Sequence, residues 1–261
     1  MRMLVLTCVL GACHGEPKPV AAPEHPGMLR VMSYNVNFGL AGDRAGVTAV
    51  ADAAADVVFL QETNSAWEAA LTRGLKQRYP HRRFTPPADW PAGGMGVMSK
   101  FPIVTLEELP PAGGPFFAWR VVLDTNVGRI QVLNVHLRPP MSDGGSWVVG
   151  YFSTRDTRLH EIEAHVKSLA PSLPTLVVGD FNEEADGLAV QALAKRGFVD
   201  AISTQHGNTP TWHWPLQGIT LQFQLDHLLH DARLVATTST IVSAGRSDHF
   251  PIWADFVRVG E

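Results

Sequence analysis

From residue 28 onward, short apolar runs alternate with amphipathic stretches. Residues 29–36 read as a strand, and 56–61 (Asp-Val-Val-Phe-Leu-Gln) as a strand buried on both faces. Between them, 44–55 carries Val47, Val50 and Ala54 at helical spacing. Ser65 and Glu68 have the spacing of a capping box, opening a helix with Trp67, Leu71 and Leu75 on one face. Runs at 96–99, 103–109, 116–123 and 129–137 read as strands separated by turn residues. The clearest helix is 151–170, where Leu159, Ile162, Val166 and Leu169 step by three and four. A buried strand at 175–179 and a helix over 187–195 follow, then strands at 221–229, 234–242 and 251–257. Strands outnumber helices and do not strictly alternate with them, which predicts an α/β protein with mixed sheets. Loops are expected at 109–115, 138–150 and 203–218, the last containing Thr211-Trp212-His213-Trp214.

Composition narrows this picture at two points. The chain has 261 residues, 45% of them hydrophobic, and no linker-like stretch interrupts 28–261, so one domain with one large core is expected. The net charge is −4 and no basic stripe is present, which argues against tight non-specific coating of nucleic acid but not against an enzyme that touches a few phosphates. Both cysteines, Cys8 and Cys13, lie at the start. Arg2, an apolar run and Leu10-Gly11-Ala12-Cys13 resemble a bacterial lipoprotein signal. The expectation is a signal peptide at 1–12, lipidation of Cys13 as a membrane anchor in the cell envelope, and a proline-rich tether at 13–27. An ordinary signal peptide with an incidental cysteine is the alternative.

Candidate chemistry sits where apolar strands end in polar residues. One strand ends at Asn35 with Asn37 placed on the same face, another at Glu62, a third at His136 with Asn134 on its side of the pleat, and a fourth at Asp180 with Asn182 close behind. Carboxylates and amides at buried strand ends are costly unless paired or metal-bound, and open α/β sheets bind ligands at such carboxyl ends. Singly, each has a structural reading: an Asn that forms a turn, an Asp that caps a helix, a satisfied core His. Together they argue for one site. Two further polar groups lie near the end: Asp226-His227 interrupts a strand-like run, and Ser247-Asp248-His249 precedes another. Three consecutive residues cannot chain their side chains into a serine-protease triad, and neither a nucleophile elbow nor a Walker loop is present. Oxygen ligands with few histidines select a hard cation, Mg²⁺ or Mn²⁺, over zinc. Such a cation with a carboxylate-oriented water and a histidine is equipment for hydrolysing a phosphate ester.

The motifs SYNVN, LQET, NVHL, GDFN, LDH and SDHFP, in that order, resemble the endonuclease/exonuclease/phosphatase superfamily, and GVMSKFPI at 96–103 resembles one of its strands. The resemblance covers 28–257 and implies a four-layer α/β sandwich, two mixed β-sheets packed face to face with helices outside. It implies Glu62 as principal Mg²⁺ ligand with Asn35 beside it and Asp248 at the metal edge. Asp180 and Asn182 would orient the attacking water and hold the phosphate. His249 would stabilise the transition state with its tautomer fixed by Asp226, and His136 would assist the leaving group. Asn64, His136 and His227 depart from the apurinic endonucleases, which have lysine, tyrosine and tyrosine there; the pattern is closer to the deoxyribonuclease I and neutral sphingomyelinase branch. Asn37, Arg138 and Trp212 are candidate substrate contacts, with Trp214 beside them. The expected protein is a monomeric Mg²⁺-dependent phosphodiesterase with nucleic acid as its partner, a phospholipid or a phosphomonoester being the alternatives. A non-catalytic surface binding protein is the reading of another class; the joint presence of Asn35, Glu62, Asp180, Asn182, Asp226 and His249 speaks against it.

Overall fold

The computed structural model describes residues 27–141, 145, 147–216 and 218–260; the expected signal peptide, Cys13 and nearly all of the expected tether lie outside the described residues. In chain order the elements are β1 (Leu29–Asn35), α1 (Arg44–Asp52), β2 (Val57–Gln61), α2 (Ser65–Leu75), β3 (His81–Thr85), β4 (Met95–Ser99), β5 (Ile103–Leu109), β6 (Ala118–Thr125) and β7 (Gly128–His136). Then come α3 (Trp147–Ser153), α4 (Arg155–His165), β8 (Thr175–Asp180), α5 (Leu188–Lys195), β9 (Val199–Asp200), α6 (Ala201–His206), β10 (Trp212–Leu216), β11 (Ile219–Phe223), β12 (Asp226–His230), β13 (Leu234–Ile241) and β14 (Ile252–Arg258). No described helix is long and apolar enough to cross a membrane.

Two six-stranded sheets form, β13-β14-β1-β2-β4-β3 and β5-β6-β7-β8-β12-β9, and β10-β11 is a separate hairpin. Both sheets are mixed: β1–β2 and β7–β8 run parallel while the other pairs are antiparallel. The period of two along each strand builds the layers. Val31, Phe59, Val97 and Phe256 of one sheet meet Trp119, Val132, Val178 and Leu228 of the other in a central core. The alternate residues Met32, Val58 and Met98 face outward onto Trp67 and Leu71 of α2 and Val50 of α1. On the far side, Leu133, Val177 and Leu229 face Ile162 of α4 and Leu193 of α5. This is the four-layer sandwich that the resemblance implies.

Local chemistry explains where the observed elements depart from the expected ones. The cap of α2 is Asn64, whose side chain accepts from Ala66 N and Trp67 N at 3.1 and 3.0 Å, so the start signal lies one residue before Ser65. The expected helix 151–170 is two helices broken at Thr154, whose hydroxyl bonds back to Gly150 O. The expected strand 221–229 is split because Gln224 turns away to the carbonyls of Gly207 and Thr209. The expected loop 203–218 holds the end of α6 and all of β10, and the charged edge strand β3 carries no apolar signal in its His-Arg-Arg start.

Candidate active site

The same alternation that builds the core assembles the site. Val31, Val132, Val178 and Leu228 point between the sheets, so Asn35, His136, Asp180 and Asp226, each an even number of residues away, point there too. Asn35, His136 and Asp180 end β1, β7 and β8, while Asp226 opens β12 directly opposite Asp180, and His136 also pairs with Asp180 in register. Glu62 is one residue out of phase. It joins the group because its φ is +60°, a left-handed conformation that turns the side chain back toward Asn35. Asn37 and Asn182 are also left-handed, at +58° and +53°, so three of the four described non-glycine residues with positive φ border this site. Strain of that kind concentrates at functional sites.

Asp180 is the centre. Its Oδ2 lies 3.0 Å from Asn35 Nδ2 and 3.5 Å from the Nε2 atoms of both His136 and His249. Asn35 Nδ2 also donates to Glu62 Oε1 at 3.0 Å, and Phe38 N donates to Glu62 Oε2 at 3.2 Å. Asp180 Oδ1 accepts from Asn182 N, and Asn182 Nδ2 donates to Leu137 O, both at 2.9 Å. His249 Nδ1 donates to Asp226 Oδ2 at 2.9 Å, and Thr211 Oγ1 donates to that same oxygen at 2.7 Å. Thr211 Oγ1 in turn accepts from the Leu225 and Asp226 amides, each at 3.0 Å. Asp226 Oδ1 is buried without a hydrogen-bond partner.

Burial divides the charges unequally. It pushes Glu62 and Asp180 above the ordinary carboxylate range. It also works against a charge on His249, but the carboxylates of Asp226 and Asp180 outweigh it and raise that imidazole to about 10. His136 shares Asp180 Oδ2 with His249 but lacks a carboxylate of its own like Asp226, and burial, then the neighbouring His249 charge, lower it to about 3. At neutral pH the site therefore holds a cationic His249 beside a neutral His136, whose ring stacks on Phe116 with centroids 4.0 Å apart.

These groups floor a cleft of about 410 Å³, walled by Pro139, Pro140, Met141, Trp212, Trp214 and Leu221. Glu62, His136, Asp180, Asn182, Trp212, Asp248 and His249 all line it, and no lysine or arginine does so among the described residues. Asp226 and Asn35 stand just behind. Asp248 has both oxygens engaged, Oδ1 with Asn37 Nδ2 and Oδ2 with Trp212 Nε1, each at 2.8 Å. Two expected substrate contacts are not in the wall. The chain leaves the strand at Asn37, which caps the 3-10 turn Phe38–Leu40 and braces Asp248 instead of sharing the face of Asn35. Arg138 is held by its main chain, its N–H donating to Glu161 Oε2 at 2.9 Å and its carbonyl accepting from Arg158 Nη1 at 3.4 Å. Asn134 is sealed between the sheets, where Gln61 Nε2 donates to its Oδ1 at 2.7 Å. Thr211 and Phe116 were not anticipated as site residues; neither is itself a charged residue or stands beside one in sequence.

Asp180, Asp226 and His249 offer ligand atoms within 4.8 Å of one another. Asp226 Oδ2 is committed to His249 and Thr211, so that trio is first an ion-paired histidine. The oxygen-rich set for a hard cation is Glu62 and Asp180, with Asn35 beside them, its Nδ2 facing both carboxylates and its Oδ1 accepting from Asn37 N at 3.1 Å. These residues fit such a cation: two carboxylates raised by burial converge where, among the described residues, no lysine or arginine lines the cleft.

The fold is a four-layer α/β sandwich with acid, amide and imidazole side chains gathered at its strand ends. The sequence model of the endonuclease/exonuclease/phosphatase family matches residues 32–249, and the chain belongs to that family, whose members are in general phosphoesterases that work with a divalent metal. Among solved structures it resembles an endonuclease/exonuclease/phosphatase from Beutenbergia cavernae, with TM-score 0.70 and 20% identity over 89% of this chain and 72% of that one. A family protein from Bacteroides thetaiotaomicron gives TM-score 0.65 and 14% identity over 89% and 98%. Truncated TDP2 from Caenorhabditis elegans gives 0.66 and 17% over 88% and 98%. At these identities the likeness speaks for the fold. No curated protein matches the chain in sequence.

Proposed function

We propose that this chain is a phosphodiesterase dependent on a bound hard divalent cation, Mg²⁺ before Mn²⁺. The observation that carries the reading is the meeting at Asp180 Oδ2 of Asn35 Nδ2 at 3.0 Å and two imidazole nitrogens at 3.5 Å, all on the floor of an open cleft. Glu62 and Asp180, with Asn35 bracing both carboxylates, would hold the cation, which would supply charge neutralisation to the phosphate when bound. Asp180, raised by burial, orients and deprotonates the attacking water. His249 keeps its proton through Asp226 and meets the charge that grows on the phosphoryl oxygens. Neutral His136 is positioned to assist the leaving oxygen with a hydrogen bond from its ring N–H. Asn182 orients the phosphate from the opposite side.

Nucleic acid is the first substrate class, supported by the broad face of Trp214 at the cleft mouth, on which a base can stack. A phospholipid is the second reading. It is favoured by the apolar end of the β10–β11 hairpin, where Trp214, Leu216 and Ile219 are 48%, 44% and 62% exposed. Membrane anchoring through a lipidated Cys13 and a monomeric state are parts of the same proposal. The test is hydrolysis of bis-(p-nitrophenyl) phosphate with Mg²⁺, Mn²⁺ or EDTA beside Glu62→Ala. Turnover that needs metal and drops at least ~10²-fold in the variant is expected; turnover unaffected by EDTA would overturn the reading. Plasmid DNA against phospholipid vesicles then separates the two substrate classes.

A further inference from the structure

Behind the cleft floor, on the side facing the helices, one buried carboxylate ties the site's segments together. Glu183 follows Asn182 directly, is fully buried and does not line the cleft. Its Oε1 accepts from Ala189 N and Val190 N at 2.6 and 3.0 Å, in the first turn of α5, and its Oε2 accepts from Arg158 Nε on α4 at 3.1 Å. Its carbonyl accepts from His227 Nε2 on β12 at 2.9 Å, and His227 Nδ1 bonds Asp200 Oδ2 at 2.8 Å. Three elements therefore grip one residue from three directions. Gly187 leaves the necessary room, since a β-carbon there would overlap the Glu183 carboxyl.

Arg158 extends the grip to the other strand end. It is fully buried too, donating to Thr154 Oγ1 at 2.6 Å, to Tyr151 O at 2.9 Å and to Arg138 O at 3.4 Å. Arg138 lies two residues beyond His136, and Asn182 itself reaches across to Leu137 O. The segments that follow His136 and Asp180 are thus joined twice, at the surface of the cleft by Asn182 and beneath it by Arg158–Glu183.

A buried ion pair is a poor device for stability, because well-packed apolar residues in its place are often neutral or stabilising. It is a good device for holding a neighbour in an unfavourable conformation, and Asn182 is such a neighbour, with its left-handed backbone. We infer that Glu183 is a positioning residue: gripped by Arg158, His227 and the start of α5, it locks the left-handed turn that presents the Asn182 amide to the substrate phosphate. This rests on the reading of Asn182 as a phosphate contact.

The test is a double-mutant cycle on the full-length protein, with kcat and KM for bis-(p-nitrophenyl) phosphate at saturating Mg²⁺ and thermal midpoints alongside. Glu183→Gln keeps the volume and an acceptor for α5 but sets a donor against Arg158. It is expected to lower kcat by about 10- to 100-fold, the scale of a small misplacement, with KM nearly unchanged. In an Asn182→Ala background the same change is expected to cost less than about twofold, because the group it acts through is gone. Equal losses in both backgrounds, or a fully active Glu183→Gln where Asn182→Ala is impaired, would overturn the inference while leaving the phosphodiesterase reading intact. A fully active Asn182→Ala would instead remove the role of Asn182, and the inference with it. Should Glu183→Gln fail to fold, Arg158→Lys, which keeps the charge but not the Nε bond, takes its place in the cycle. If that too fails to fold, Glu183 is structural and the inference is wrong.

Discussion

Asp226 and His249 show how one buried hydrogen bond sets a chemical state. Burial alone would strip His249 of its proton; the carboxylates of Asp226 and Asp180 restore it and carry the imidazole to about 10. Asp226→Asn removes the larger of those charges, so His249 is expected to titrate within the working range. The sign follows: with the cationic form as the useful one, the variant's kcat should fall as pH rises from about 6 to 9. The wild-type protein should show no loss from His249 over the same range. A pH–rate profile of the two proteins measures this, and parallel profiles would refute the assignment. At this scale most of the site was legible in the chain, because Asn35, Glu62, His136 and Asp180 are polar residues at the ends of apolar runs, where a core does not ask for them. Thr211, Glu183 and Arg158 were not, since the charged partner of Thr211 lies 15 residues away and Glu183 and Arg158 pair across 25, and only the fold brings them together. Asn37 was misread because a backbone turn to +58° cannot be seen in a pattern that assumes a strand.

At the scale of the element, strand β8 carries the most constraint. Its five residues before Asp180 are all buried, and Gly179 has φ of +134°, which side-chain-bearing residues rarely adopt. A β-carbon at Gly179 would overlap the carbonyl oxygen of Val135 on β7, which belongs to the strand pairing that places His136 against Asp180. Gly179→Ala is therefore expected to cost about 2–4 kcal/mol, combining backbone strain with a steric clash. Urea unfolding reads that loss, and a midpoint equal to wild type would show that the strands can part without penalty. The glycine is visible in Gly-Asp-Phe-Asn, but its purpose is not, because the clash is with a strand some 44 positions earlier. The same limit explains the elements that went astray. Thr154 breaks a helix that periodicity alone runs through, and Gln224 divides a strand by bonding carbonyls beyond α6. Apolar alternation located the sheets; polar side chains with distant partners decided where their strands stop.

For the molecule as a whole, stability depends on groups that the fold keeps uncharged. His165 closes α4 against the second sheet's outer core, almost wholly buried, and burial lowers it to about 4. Its unfolded counterpart titrates near 6.5. Below that pH the unfolded chain binds a proton that the folded chain refuses, so this residue's contribution is present at neutral pH and drains away as pH falls from about 6.5 toward 4. Other buried groups titrate in the same interval, some in the opposite sense: Glu161, raised by burial to about 7, takes up its proton earlier in the folded state and favours folding on acidification. The net slope is therefore a poor probe, and the difference between two proteins is a good one. Between pH 7 and pH 5, wild type should lose about 2 kcal/mol more than His165→Gln does, equivalent to roughly 4–8 °C in thermal midpoint for a domain of this size. Calorimetric or circular-dichroism melts of both proteins at the two pH values measure the difference directly. Coincident shifts would mean that His165 finds solvent or a partner on protonation, and that the layer between α4 and the sheet is looser than its packing implies.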